Sequence, residues 1–383
     1  MRLLLFILIA FGFLTFFSSN VLAIYNPVAR ENNIFGIHIL FPTEVENAAK
    51  LVNSSGGDWG YVVIPIQYKD RDLLVWQAFM NDCAKYHIIP IPRLATESYW
   101  DNTKVWRKPQ DADVLDFANF LNSLVWPSKN RYVVLFNEVN RYDEWGGEPP
   151  SPETYADLVS YAESVFKKAN PDFFLITAGL DNSAPNDGQK YIDNFAFLRR
   201  IASYNPDVFK NIDGIASHSY PNPNFTQAPT QNAYEGTSTY KYEENIVSEV
   251  AGGNKPVFIT ETGWNATKLS QSIISEYFKT SMQEIWGQDK NVVAVTPFIL
   301  ESQNGSFDKF SFSHDGNLTE YGLAYQDLLK KKGDPILSAP IPQEVEAAKV
   351  YPKEFRFTPE NFAIRLESVI LHVYVKAVLA MDK

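Results

Sequence analysis

The feature that most constrains this chain is the near-unbroken alternation of short apolar runs with amphipathic segments. Runs at residues 34–40, 59–67, 87–93, 132–137, 173–179, 212–218, 256–261 and 292–299 have strand length. Most are continuously apolar rather than alternating, as strands covered on both faces should be. The segments between them carry helical signals. The clearest opens with Ser151, Pro152 and Glu153, a capping hydroxyl, a first-turn proline and an acid in order. Tyr155, Leu158, Val159, Ala162, Val165 and Phe166 then mark one apolar face. Eight such strand–helix pairs predict an α/β chain of parallel strands and crossover helices, closed into a (β/α)8 TIM barrel. An open doubly wound sheet would place a glycine-rich phosphate turn after its first strand. Phe35-Gly36-Ile37-His38 is not that turn.

At 383 residues the chain exceeds a barrel of roughly 250 residues, so the barrel is assigned to residues 24–332, with an extension at each end. Residues 1–23 carry Arg2, an unbroken apolar or small run at 3–17, and then Val21-Leu22-Ala23. The run is short for a bilayer crossing of about 20 residues, and the small residues after it suit a signal peptidase. The expectation is a secreted or extracytoplasmic protein whose signal segment is cleaved or kept as an N-terminal anchor. In residues 333–383, Pro335, Pro340, Pro342, Pro352 and Pro359 interrupt any long helix. Residues 369–375 alternate like an edge strand, and the extension is otherwise left without an assigned structure.

A chain that is 45% hydrophobic and 21% charged can bury a large core without metal or disulfide support. Its one cysteine, Cys83, shares a helical register with Trp76, Phe79 and Met80 and reads as a buried thiol. The net charge of -11 and the lack of a basic cluster argue against nucleic acid as a partner.

In such a barrel, side chains at the C-terminal strand ends converge on one pocket. Two runs end there on a carboxylate, Val133-Val134-Leu135-Phe136-Asn137-Glu138 and Val257-Phe258-Ile259-Thr260-Glu261. Cleaving a glycoside requires a proton for the departing oxygen and a stabiliser for the oxocarbenium-like centre, and two carboxyl groups can divide those tasks. Arg93 ends the third run, where it can orient a carboxylate and lower its pKa, with a plain salt bridge as the alternative. His38 ends the first run and offers a sugar hydrogen bond or a structural one. Trp264 offers either a stacking face for a sugar or simple packing. Tyr99, Trp100, Trp106, Tyr142 and Trp145 fall in rim loops, where together they offer outer sugar subsites, with ordinary loop packing the expectation for each one. The five histidines, His38, His87, His218, His314 and His372, are scattered without metal-ligand spacing, so neither a metal nor a cofactor is expected. No Gly-x-Ser-x-Gly elbow is present.

Taken in order, Asn137-Glu138 on the fourth strand, His218-x-Tyr220 on the sixth and Glu261-Thr262-Gly263-Trp264 on the seventh resemble the clan A retaining glycoside hydrolases. The resemblance spans roughly residues 34–329. It implies that Glu138 is the acid/base, that Glu261 is the nucleophile and that Asn137 holds the sugar 2-hydroxyl. It also places His218 and Tyr220 at the substrate, with the tyrosine hydrogen-bonded to the nucleophile. The implied partner is a carbohydrate, a β-linked oligo- or polysaccharide cleaved through a covalent glycosyl-enzyme. Three departures from the clan stand out: Val139 where many members have proline, no arginine in Val62-Val63-Ile64-Pro65, and Thr296-Pro297-Phe298-Ile299 without a tryptophan. Arg93 is the candidate to take the missing arginine's task. The rival readings are a carbohydrate-binding barrel that has lost hydrolysis, and a transglycosylase.

Overall fold

A computed structural model describes residues 24–338, apart from Trp100, Thr103, Asn232, Gln303, Asn304 and Ser306. Residues 1–23, residues 339–383 with the strand-like 369–375, and the rim residue Trp100 lie outside the described residues.

Eight parallel strands follow one another in the expected order: β1 Gly36–His38, β2 Gly60–Gln67, β3 Ile88–Ala95, β4 Arg131–Val134, β5 Phe173–Ile176, β6 Ile215–His218, β7 Val257–Glu261 and β8 Val292–Val295. They form one arc from β1 to β5 and another from β6 to β8. Parallel bridges from Ile176 to Gly214 and from Asp181 to His218 join the arcs on one side, and Phe35 to Val295 closes the ring on the other.

The apolar runs are continuous because each strand feeds two cores at once. In β2, Tyr61 and Val63 point into the barrel with Ile89, Ile91, Tyr132, Val134, Phe174, Ile176 and Phe258. Val62, Ile64 and Ile66 point the other way, into the layer between strands and helices. Several strands stop before their apolar runs do. β4 ends at Val134 and β8 at Val295 because the following residues leave the ladder to build the barrel mouth.

The surrounding helices are α1 Val45–Val52, α2 Leu73–Lys85, α3 Asp111–Ser123, α4 Pro152–Ala169, α5 Asn194–Tyr204, α6 Asp207–Asn211, α7 Thr239–Ala251, α8 Gln271–Thr280 and α9 Glu320–Asp327. At the start of α4 the Ser151 hydroxyl accepts from the Thr154 amide at 3.2 Å, which satisfies one of the donors a helix start leaves open. Tyr155, Leu158, Val159, Ala162 and Phe166 of α4 are buried, and Val165 is partly buried against the same core. Cys83 is fully buried on α2. Among the described residues no helix is long and apolar enough to cross a membrane.

The start of the C-terminal extension is part of the barrel rather than separate from it. The amides of Gly333, Asp334 and Ser338 donate to the carbonyls of Asp58, Glu31 and Pro127, and Arg30 pairs with Asp334. This segment runs beneath the N-terminal ends of the strands, at the pole opposite the mouth.

Candidate active site

Two local irregularities bring the paired glutamates to the mouth. In β7, Ile259 faces the helices, so regular alternation would send Glu261 the same way. Instead Ser217 pairs with Ile259 and His218 pairs with Glu261, leaving Thr260 as an extra residue. Such a bulge re-aims the next side chain, and Glu261 turns into the barrel. Beyond β4, Phe136 has φ 73° and Glu138 has φ 37°. Left-handed backbone costs a side-chain-bearing residue on the order of 1–3 kcal/mol, so neighbouring contacts must hold it in place. A bridge from Asn137 to Gly179 and a 2.9 Å bond from the Glu138 amide to the Gly179 carbonyl do so. As a result the adjacent side chains of Asn137 and Glu138 both reach the pocket.

Glu261 places Oε1 at 2.5 Å from Arg93 Nη1, and its Oε2 accepts from the Tyr220 hydroxyl at 3.0 Å. His38 Nε2 lies 3.8 Å from the same Oε1. Glu138 places Oε1 at 3.0 Å from His218 Nδ1 and Oε2 at 3.1 Å from Arg141 Nη1. One oxygen of each glutamate and a nitrogen of His218 all lie within 4.8 Å of one another. Arg93 also donates to Asn137 Oδ1, and Asn137 Nδ2 donates to Glu144 Oε1 at 3.1 Å. The Asn137 amide is thereby oriented from both ends. Gly179 matters through close approach, since a Cβ there would sit 2.2 Å from His218 Cδ2.

Charge follows from this geometry. For Glu261, burial pushes the pKa up, but His218, Arg93 and the Tyr220 hydrogen bond outweigh it and hold the carboxyl below its ordinary range. Glu138 is raised by burial and lowered more by Arg141 and His218. For His218, burial disfavours the cation, yet Glu261 and Glu138 hold its pKa above the usual imidazole value. His38 is driven well below that value by burial and by the positive Arg93 and His218, so it is neutral. Burial, Asp143 and Glu138 together push Glu144 up to about 7. Glu138, His218 and Glu261 are close enough to ligate a metal ion. Both carboxylates already face a guanidinium, however, and a divalent cation between them would meet two like charges at short range.

Of the side chains singled out in the sequence, His38, Arg93, Asn137, Glu138, His218, Tyr220 and Glu261 converge on this pocket. Trp264 does not, which corrects the stacking reading. It is 1% exposed behind the barrel wall, packed on Tyr277, Phe278 and Trp286, and its Nε1 donates to the Gln227 carbonyl at 2.9 Å. No face of its ring is open to a sugar. Trp145 is likewise buried, edge-on to Tyr155, as loop packing predicts.

Three neighbours escaped the sequence reading: Arg141, Glu144 and Phe298. Phe298 follows β8 and lies edge-on to His38, 5.0 Å between ring centroids, where a tryptophan was missed. An aromatic residue at that strand end was the available signal. Arg141 and Glu144 sit in a polar loop where nothing in their spacing distinguishes them from solvated charges.

The sequence model of the family described as "Glycosyl hydrolase catalytic core" matches residues 97–325. No curated protein sequence matches the chain significantly. Among solved structures, the chain is similar to a family 39 glycoside hydrolase from the gut symbiont Bacteroides cellulosilyticus WH2. That match has a TM-score of 0.55 at 16% identity and covers 80% of this chain but only 64% of the other. A family 51 alpha-L-arabinofuranosidase from Bifidobacterium longum has a TM-score of 0.54 at 11% identity, over 82% of this chain and 77% of that one. A family 128 (subgroup II) endo-beta-1,3-glucanase from Pseudomonas viridiflava has a TM-score of 0.50 at 16% identity, over 76% of this chain and 96% of that one. At such identities the structural likeness is one of fold, and it agrees with the closed barrel. The family match, in contrast, covers well over half of the sequence and includes the segments that carry Glu138, His218 and Glu261, so the chain belongs to the glycosyl hydrolase catalytic core family.

Proposed function

We propose that this protein is a retaining glycosidase that cleaves a β-linked oligo- or polysaccharide by double displacement, with Glu261 as nucleophile and Glu138 as acid/base. The observation that carries the reading is the approach of one oxygen of each carboxylate to within 4.8 Å of the other, which leaves no room for a water between the two groups. Retaining enzymes separate theirs by about 5–5.5 Å, whereas an inverting enzyme needs about 6.5–9.5 Å to admit water between carboxylate and sugar. In the first step a Glu261 oxygen bonds to the anomeric carbon while the bond from that carbon to the glycosidic oxygen breaks and Glu138 gives the departing oxygen a proton. In the second step water bonds to the same carbon, the ester to Glu261 breaks, and the water proton passes to Glu138. Arg93 and Tyr220 keep Glu261 ionised for attack, and Asn137 offers its Nδ2 to the 2-hydroxyl.

The β-linkage rests on the order of motifs shared with clan A. Export through residues 1–23 belongs to the same proposal, and N-terminal sequencing of protein from the growth medium tests it. The reaction is tested on a panel of β-glucans, mannans, xylans and aryl glycosides, with the product anomer read by NMR. Retention is the expected outcome, and an inverted first product would sink the mechanism. Binding without turnover, unchanged in Glu261→Ala, would favour a carbohydrate-binding barrel instead.

A further inference from the structure

We propose that Arg141 is a positioning residue that sets how strongly Glu138 holds its proton, by dividing one guanidinium nitrogen between Glu138 and Asp181. The inference rests on the reading of Glu138 as acid/base and adds to it a residue outside the reacting pair.

Arg141 lies in the same turn as Glu138, and its amide donates to the Glu138 carbonyl at 3.0 Å. Nε and Nη2 are committed to Asp143, at 3.0 Å to Oδ1 and 2.9 Å to Oδ2. Nη1 has two partners, Glu138 Oε2 and Asp181 Oδ2, each at 3.1 Å. Asp181 is itself fixed. Its Oδ1 accepts from the amide and hydroxyl of Ser183 at 2.9 and 3.0 Å, which leaves Oδ2 to the guanidinium. The Asp181 backbone is clamped by the Asn140 side chain through two bonds of 3.0 Å. Asp143 therefore anchors the cation, and Asp181 competes with Glu138 for what remains of it. Arg141 lowers the Glu138 pKa, and the share of its charge that Asp181 takes makes that lowering smaller than an undivided guanidinium would give.

The other charged and titratable groups facing Glu138 are His218 from β6, Glu261 from β7, Glu144 and Asp143 from its own loop, Asp181 from the loop after β5, and Tyr220. His218 is the second partner of Glu138, but it also faces Glu261 at 3.8 Å and so reports on both carboxylates. Arg141 touches only the acid/base of the two, which makes it the residue whose removal isolates the effect.

The test is the pH dependence of kcat/KM for Arg141→Met, Arg141→Lys and Asp181→Asn, on glycosides with good and poor leaving groups. Arg141→Met should move the basic limb up by about one unit or more, the size expected from losing one close opposite charge. It should also slow poor leaving groups more than good ones, since a weaker acid donates less readily. Arg141→Lys should keep the limb near that of the wild type, and Asp181→Asn should move it down. Opposite shifts from the two neutralising changes are not produced by a merely structural role. An unmoved limb in Arg141→Met, or a lysine variant that behaves like the methionine one, overturns the proposal. If Arg141→Met does not fold, the direction of the Asp181→Asn shift decides it. A wild-type enzyme without activity on any glycoside would instead defeat the reading of the active site itself.

Discussion

Glu261 and Glu138 occupy one pocket but are held in different ways. Glu261 is delivered by a strand that is regular apart from one extra residue, and its partners Arg93 and Tyr220 come from β3 and the end of β6, part of the rigid wall. Glu138 is delivered where a strand breaks, through two left-handed residues, and its cation Arg141 sits three residues away on the same loop with other carboxylates within reach. The contrast matches the two tasks proposed for them. A nucleophile must be ionised whenever substrate arrives, so fixed donors suit it. An acid/base gains and loses a proton each cycle, so its surroundings must leave both states accessible.

The largest expected difference between the two is in substitution to alanine. Glu261→Ala should lower kcat by about 10^5-fold, the scale of an oriented internal nucleophile, whatever the leaving group. Glu138→Ala should lose about 10²- to 10⁴-fold on poor leaving groups and far less on activated aryl glycosides, with partial rescue by azide. Equal losses on both substrate types in both variants would erase the contrast.

A smaller effect concerns the fixed donor. Arg93→Met should raise the pH at which Glu261 takes up a proton, moving the acidic limb of kcat/KM upward, because one of the cations that holds the carboxyl down is gone. The sign for stability is the same. A depressed folded pKa contributes stability that is present above the unfolded value and lost as pH falls through the folded one. Melting temperatures measured on acidification should therefore fall more steeply in the wild type than in Arg93→Met.

The smallest effect lies outside the pocket. Trp264→Phe should cost about 1–2 kcal/mol of stability through the lost hydrogen bond to Gln227 and the smaller ring, with KM unchanged. A raised KM at undiminished thermal stability would return Trp264 to the sugar.

All eight strands were legible because a buried parallel strand must be apolar on both faces, and that requirement is written in consecutive residues. Their ends were not, since Leu135 and Phe136 remain apolar after the ladder has stopped at Val134. Much of the pocket was legible as well: polar residues ending apolar runs are conspicuous, and β1, β3, β4, β6 and β7 each supplied at least one. Trp264 stayed open between stacking and packing because a position just past a strand end does not say which way the side chain turns.

What the sequence determined by itself is the order of elements and the chemical identity of the groups at the mouth, since both depend on residue type and near-neighbour periodicity. Tertiary structure alone decided that Thr260 bulges so that Glu261 turns inward, that Phe136 and Glu138 adopt left-handed backbone, and that Arg141 divides itself between Glu138 and Asp181. Each of these depends on what a segment meets across the barrel. Contacts between residues far apart in the chain leave no local periodicity from which to read them.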